Sequence, residues 1–164
     1  PFDCNSSTRE ILRFNKTNEN VSLGEVFLNP TRIYCDPIVD LIKHAQSNES
    51  EFGVQDLRGI CHVTGGGLSN LLRLHDSLGW EISNPLTPHP EFTWLAESGG
   101  VDTWEMYRTF NMGCGMIIAV NHQYADSICA WLQVKMSGVQ IIGHVADNGR
   151  KVVHSPLGIE FTHY

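Results

Sequence analysis

The sequence predicts an α+β domain, in which a mixed β-sheet is flanked by α-helices. Short runs of β-branched and apolar residues alternate with segments whose apolar residues recur at helical spacing. The two kinds of segment are intermixed along the chain, and an Asp-Asn-Gly hairpin signal stands at residues 147–149. With 164 residues, 41% of them hydrophobic, the chain is long enough for one domain with its own core.

The beginning of the chain is predicted to differ from the rest. Residues 1–30 are polar, one short helix is expected over residues 8–14, and Asn29-Pro30 ends the region. We therefore expect a polar N-terminal segment with a short helix, residues 1–30, followed by the main domain, residues 31–164.

The first half of the main domain is predicted to contain a helix, a strand and a second helix. Asp36 and Pro37 supply an N-cap and a proline at the first helical position. Residues 57–63 read as a strand that runs directly into the four residues Thr64 to Gly67. Leucines at positions 68, 71 and 72 then predict a helix, so the glycines lie at a strand-to-helix turn.

The second half is predicted to continue this mixture. Pro90 begins a helix that Gly99-Gly100 ends, and Asp102 or Thr103 caps a further short helix through Tyr107. The remaining elements are strands over residues 80–82, 115–120 and 140–146, a helix over residues 123–136, and a strand over residues 152–154 that pairs back across the Asp-Asn-Gly turn.

Charge and composition argue against several classes of protein. Lys and Arg total 11 against 18 Asp and Glu, a formal net charge of −7, so nucleic-acid binding is not expected. No run of apolar residues is long enough to predict a membrane helix, and the first residues do not resemble a signal peptide. Five scattered cysteines without a Cys-x-x-Cys pair favour reduced thiols and a cytoplasmic location. The histidines show no regular ligand spacing, so no metal is predicted.

The four residues Thr64, Gly65, Gly66 and Gly67, here called the glycine loop, are the first candidate site. Glycine lets a ligand approach the main chain closely, and free N–H groups at such a turn attract anions such as phosphate. The spacing matches neither GxxxxGK[ST] nor GxGxxG. On spacing alone, a tight turn without any ligand remains the alternative.

The second candidate site is the polar segment from Glu105 to Asn111. Arg108 is suited to gripping a phosphate through two hydrogen bonds, and neighbouring polar groups can line a cleft. Alternatively, Arg108 forms an ordinary ion pair with Glu105, and Asn111 satisfies the backbone of a turn. The residues alone do not decide between these readings.

His62, directly before the glycine loop, is the third candidate. It could bind a substrate or act as an acid or base, or it could be a structural histidine. Its neighbour Cys61 is interpreted as a core residue rather than a nucleophile.

Four motifs resemble the phosphoribosylformylglycinamidine cyclo-ligase (aminoimidazole ribonucleotide synthetase) family, in its C-terminal domain. They occur in the family's order and close to its spacing, over about residues 28–146, whereas residues 74–85 diverge. The motifs are NPTRIY (29–34), HVTGGGLSNLLR (62–73), HPEFTWLAESGGV (89–101) and EMYRTFNMGCGMIIAV (105–120).

The resemblance implies an ATP-dependent ring closure that converts formylglycinamidine ribonucleotide to aminoimidazole ribonucleotide in purine biosynthesis. It also implies that ATP and magnesium are held mainly by an N-terminal half that this chain does not contain, and that the full-length enzyme is a homodimer. No cofactor is expected for this chain alone. The implied substrate- or phosphate-binding residues are His62, Thr64, Gly65, Gly66, Gly67, Arg108, Thr109 and Asn111; no catalytic residue is assigned.

Two further functions stay open at this point. The chain could be a stand-alone ligand-binding or interaction module that has kept the fold without catalysis. It could also belong to a related ATP-dependent enzyme for selenophosphate or hydrogenase maturation, although EMYRTFNMG does not fit those proteins. We expect that the 164 residues alone catalyse no ring closure.

Overall fold

The computed structural model of the chain describes residues 11–13 and 20–164. Near the N-terminus, strand β1 (Ile11–Arg13) pairs antiparallel with β2 (Asn20–Ser22), and helix α1 (Leu23–Leu28) follows. The short helix predicted over residues 8–14 is therefore wrong for its described part, since pairing with β2 overrides a weak helical preference. The rest of that predicted helix lies outside the described residues.

Helix α2 (Cys35–Ala45) begins one residue before the predicted N-cap. Tyr34 occupies the cap position, and Asp36 lies in the first turn, where its negative charge still favours the helix. The helix buries its apolar face against α5 (Ala125–Lys135), and the ring of His44 stacks on Trp131 at 5.3 Å between centroids. This contact forms a small second core of Leu41, Ala45, Phe52, Ile128 and Leu132.

The predicted strands at residues 57–63 and 115–120 are confirmed as β3 (Leu57–His62) and β5 (Met116–Val120). They pair antiparallel with each other, and Cys61 lies opposite Ile117. Helices α3 (Pro90–Gly99) and α4 (Thr103–Thr109) lie between them in the chain, as predicted. Asp102 caps α4 by accepting a hydrogen bond from the amide of Glu105 at 2.9 Å.

A four-stranded mixed sheet confirms the predicted fold class. Its strand order is β6 (Gly143–Ala146), β4 (Gly79–Ile82), β7 (Val152–His154), β8 (Ile159–Phe161). Strand β4 pairs antiparallel with β6 and parallel with β7, and β8 returns antiparallel along β7 after a short 3-10 turn.

The hairpin predicted across residues 147–149 is wrong, because β4 lies between the two strands that the turn connects. Trp80 pairs with Val145 on one side and with Val152 on the other. Trp80 and Ile82 are both buried in this position, so the inserted strand hides apolar surface that a direct hairpin would leave exposed. The turn itself wraps closely over the start of β4, where a Cβ on Gly79 would lie 1.9 Å from Asn148 Oδ1.

The helix predicted after the glycines is a 3-10 helix, Gly67–Arg73, rather than an α-helix. Gly66 and Gly67 have φ of 103° and 51°, so right-handed backbone begins only after them. The 3-10 segment packs between α4 and the four-stranded sheet, and its Leu71 and Leu72 are fully buried in the main core. No helix among the described residues is long and apolar enough to cross a membrane.

Candidate functional site

The glycine loop leaves the sheet immediately after β3. The amide of Val63 donates to Gly115 O at 2.9 Å, which ties the loop's first end to the start of β5. Thr64 and Gly65 are exposed, Gly66 is partly covered, and Gly67 is buried. The loop therefore rises to the surface and returns into the core within four residues.

The two motifs of the sequence meet at Gly67. A Cβ on this residue would lie 2.0 Å from Tyr107 O and 2.8 Å from Phe110 O, at the C-terminal end of α4. Only glycine permits this approach of two backbones, and only glycine adopts φ of 51° without strain. The loop and the segment 105–111 thus touch through their main chains.

Asn70 is a central residue of the loop that the sequence reasoning missed. Its side chain is completely buried, and Nδ2 donates to the carbonyls of Thr64 (2.8 Å), Gly65 (3.3 Å) and Gly67 (2.7 Å). The hydroxyl of Ser69 donates to the remaining carbonyl, that of Gly66, at 2.6 Å. A polar residue within the run of leucines was the available signal, because a buried amide requires partners.

All four loop carbonyls are thereby turned toward the protein interior and hydrogen-bonded, whereas the loop amides are not. Among the described residues, the backbone N–H groups of residues 64–68 have no hydrogen-bond acceptor. A cluster of unpaired N–H groups on consecutive residues is a common way to bind an anion. The following 3-10 helix has two turns only, so the amides themselves, rather than a long helix dipole, carry the attraction.

Arg73 and Tyr164 complete this surface, and neither was predicted. The Arg73 guanidinium lies over the Tyr164 ring, 4.8 Å from its centroid, and also donates to Asn70 Oδ1. A Cβ on Gly66 would approach Tyr164 Cε2 to 3.2 Å, so the aromatic ring borders the loop. Burial raises the pKa of Cys61, and the nearby Arg73 opposes that rise only in part, which supports its interpretation as a protonated core thiol.

His62 is exposed at the end of β3, and its described ring contact is with Tyr34, edge to face at 5.8 Å. Burial is the main cause of the raised pKa of Tyr34. The Tyr34 hydroxyl reaches Gly115, where a Cβ would lie 2.2 Å away. His62 therefore lies beside the loop without a described contact to its four residues.

The polar side chains of α4 contact one another, which is the alternative to phosphate binding that the sequence analysis left open. Arg108 pairs with Glu105 at 3.2 Å, its side chain 56% exposed, and it lies 5.4 Å from the Trp104 ring centroid. Thr109 donates to Glu105 at 2.7 Å, and this hydrogen bond is the first cause of the lowered pKa of Glu105, ahead of Arg108. The charge of Arg108 is thus accessible but already partnered.

Asn111 has the turn role that the sequence also allowed. Its Oδ1 accepts the amide of Gly113 at 3.0 Å. It also borders a small pocket of about 10 Å³, which His154 and Cys114 also line. His154 is 1% exposed, and its ring contacts Tyr107 at 4.7 Å between centroids. Neither of its ring nitrogens has a hydrogen-bond partner among the residues that the structure describes.

A large groove lies elsewhere in the described part of the chain, between β5, α5 and the β4–β6 pair. Its volume is about 950 Å³, and its lining is mostly apolar, with Arg32 and Arg58 among its charged residues. None of the eight sequence-predicted site residues lines it. The glycine loop and α4 therefore present an open surface on the part of the chain that the structure describes, separate from this groove.

Comparison with known proteins identifies close sequence relatives. The family described as AIR synthase related protein, C-terminal domain, matches residues 4–155. Proteins named phosphoribosylformylglycinamidine cyclo-ligase are similar to this chain: 38% identical over 133 residues in Methanopyrus kandleri and 41% over 128 residues in Gloeobacter violaceus. These alignments cover 81% and 77% of this chain but 35% of each relative. A protein of the same name from Methanobrevibacter smithii is 35% identical over 146 residues, which is 89% of this chain and 40% of that protein. The chain thus matches little more than a third of the length of these relatives.

Proposed function

This chain belongs to the AIR synthase related family and contains its C-terminal domain, and from that membership we propose that it is the C-terminal part of an ATP-dependent cyclo-ligase. In this proposal the enzyme converts formylglycinamidine ribonucleotide to aminoimidazole ribonucleotide in purine biosynthesis. The observation that carries the proposal is the 33–41% identity, over most of this chain, to proteins named phosphoribosylformylglycinamidine cyclo-ligase.

The role of this domain in the proposal is to hold the phosphate of the ribonucleotide. A phosphate monoester carries two negative charges and several acceptor oxygens at neutral pH, and five consecutive unpaired N–H groups match that need. The amides of residues 64–68 offer such a set. The glycine loop is therefore better supported as the phosphate contact than Arg108, whose guanidinium already pairs with Glu105.

In the proposal, the other predicted site residues lie around the contact between the glycine loop and the phosphate. His62 borders the loop from the strand side, and Arg108, Thr109 and Asn111 belong to the segment whose backbone supports Gly67. Arg108 would reach a ligand by sharing its guanidinium with Glu105, since its side chain is more than half exposed. Positioning of this kind supplies much of the acceleration in an intramolecular ring closure.

In the proposal, ATP and magnesium are bound by another part of the enzyme. Among the described residues, no group of three or more His, Cys, Asp or Glu side chains is placed to hold a metal ion. No step of the reaction is assigned to the metal in this chain. The N-terminal half, as a covalent or separate partner, is where we propose that the nucleotide binds.

Phosphate recognition is tested by calorimetry of the chain with formylglycinamidine ribonucleotide and with the corresponding nucleoside, which lacks the phosphate. We expect binding of the ribonucleotide only. Gly65→Asp places a carboxylate in open space at the loop. Like-charge repulsion of about 1–4 kcal/mol should weaken binding by roughly fivefold to several hundredfold. Val134→Asp adds the same charge at a residue 85% exposed on α5 and should leave the affinity unchanged. Equal binding of ribonucleotide and nucleoside would contradict the proposal.

Catalysis is tested by measuring ATP-dependent ring closure with the chain alone and after fusion to the N-terminal half of a relative. We expect no turnover by the 164 residues and turnover by the fusion. Turnover by the chain alone would overturn the proposed dependence on a second half. Ribonucleotide binding by a well-folded fusion that never turns over would favour the non-catalytic binding module instead.

A further inference from the structure

Three features of Asn70 are unusual for a surface turn. The side chain is 0% exposed, its amide nitrogen reaches three different backbone carbonyls, and its carbonyl oxygen accepts from Arg73. A buried Asn has two donors and one oxygen acceptor to satisfy, and here both ends of the amide have partners. None of these contacts is needed to close β3 onto β5, which is done by the strand ladder itself.

We propose that Asn70 is the positioning residue of the glycine loop, and that Arg73 fixes the direction of its amide. This inference rests on the proposed function, since it concerns the same phosphate contact. Asn70 does not touch the ligand in this proposal. It holds the loop carbonyls inward, and because each peptide unit is planar, the neighbouring N–H groups are then directed outward.

The role of Arg73 follows from the two possible orientations of an amide. If the Asn70 amide were turned over, its oxygen would face the carbonyls of Thr64 and Gly67, and its NH₂ would face the guanidinium. Oxygen would then oppose oxygen, and donor would oppose donor. A donor from Arg73 to Oδ1 excludes that orientation, and stacking of the guanidinium on Tyr164 holds the arginine in place.

Loop geometry is measured without any ligand, by the amide NMR signals of Gly65, Gly66 and Gly67. Asn70→Ala should shift these three signals and speed their hydrogen exchange, while signals from α2 and α5 stay in place. Asn84→Ala is the matched control, because it also removes an Asn amide that donates to a carbonyl, that of Ile141, outside the loop. It should leave the three glycine signals unchanged.

Ligand binding is the second measurement, with formylglycinamidine ribonucleotide as the probe. We expect Asn70→Ala to raise the Kd at least tenfold, measured without urea under conditions in which the variant is folded. Arg73→Lys keeps a donor and should stay within about threefold of the wild type, whereas Arg73→Met should lose binding and shift the same glycine signals. Since Arg73 is exposed, its variants test the proposal even where Asn70→Ala does not fold.

The outcomes separate this inference from the proposed function. Unchanged glycine signals in folded Asn70→Ala would overturn the positioning role, whatever the ligand result. Loss of binding in Arg73→Met with unshifted glycine signals would overturn the orientation role, because Arg73 would then contact the ligand directly. Shifted signals in both variants, combined with no binding of the ribonucleotide by the wild type, would support the positioning role and refute the proposed function.

Discussion

Gly67→Ala tests the central contact between the glycine loop and α4. Alanine at φ of 51° costs roughly 1–2 kcal/mol in backbone strain. Its Cβ would also lie 2.0 Å from Tyr107 O, so the last turn of α4 has to move, which adds roughly 1–3 kcal/mol for an overpacked core. We therefore expect the free energy of unfolding to fall by roughly 2–5 kcal/mol.

The assay is urea unfolding followed by circular dichroism, with a thermal scan beside it. For a chain of this size each kcal/mol lowers Tm by roughly 2–4 °C, so the predicted loss is roughly 4–20 °C. Gly65→Ala is the control, because a Cβ there meets nothing within 4 Å, and it should stay within about 0.5 kcal/mol of the wild type. Equal stability of the two variants would refute the close approach of the loop to α4.

Two further predictions concern titratable side chains of the core. Burial lowers the pKa of His154 below 6.5, so the unfolded chain binds its proton at a pH where the folded chain does not. The stability that comes from keeping His154 neutral is therefore complete above about pH 6.5 and is lost as the pH falls toward the folded-state pKa. Urea midpoints measured at pH 7.5 and at pH 5.5 should differ more in the wild type than in His154→Phe. Equal differences in the two proteins would contradict this. Burial raises the pKa of Cys114 to about 11, whereas Cys35 is exposed. Iodoacetamide at pH 8 should thus modify Cys35 quickly and Cys114 only after unfolding, as followed by peptide mass spectrometry, and early modification of Cys114 would show that it is not buried.

Local signals predicted most elements of the main domain. Pro90 and the Gly99-Gly100 pair gave the limits of α3, and Asp102 caps α4 as expected, because these residues act through their own backbone neighbourhood. Pairing between strands was less predictable. The Asp-Asn-Gly sequence indicates a turn, but it carries no information about whether a distant strand such as β4 enters between the two strands it joins.

For the candidate site too, local sequence signals predicted some residues, whereas others are recognised only in the folded structure. The glycine loop could be picked out from the sequence as three glycines directly after a strand, and the family resemblance that the motifs indicated is confirmed. Asn70 had a sequence signal, as a polar residue among leucines, but its partners could not be predicted. Arg73 and Tyr164 could not be found, since their role depends on contacts that only folding creates. The binding roles of the eight predicted residues stay predictions until ligands are tested.

The position of β4 between β6 and β7 sets an order for folding during synthesis. Strand β4 ends at Ile82, but its two partners begin at Gly143 and Val152. At about 5–20 residues per second, translation of residues 83–142 takes roughly 3–12 s, and for that time β4 has neither neighbour. Val152, which is completely buried in the finished sheet, is made only after β6. A nascent chain that stalls before β6 and β7 are made therefore exposes Trp80 and Ile82 on an open strand edge, where another unfinished copy could pair with it and begin aggregation.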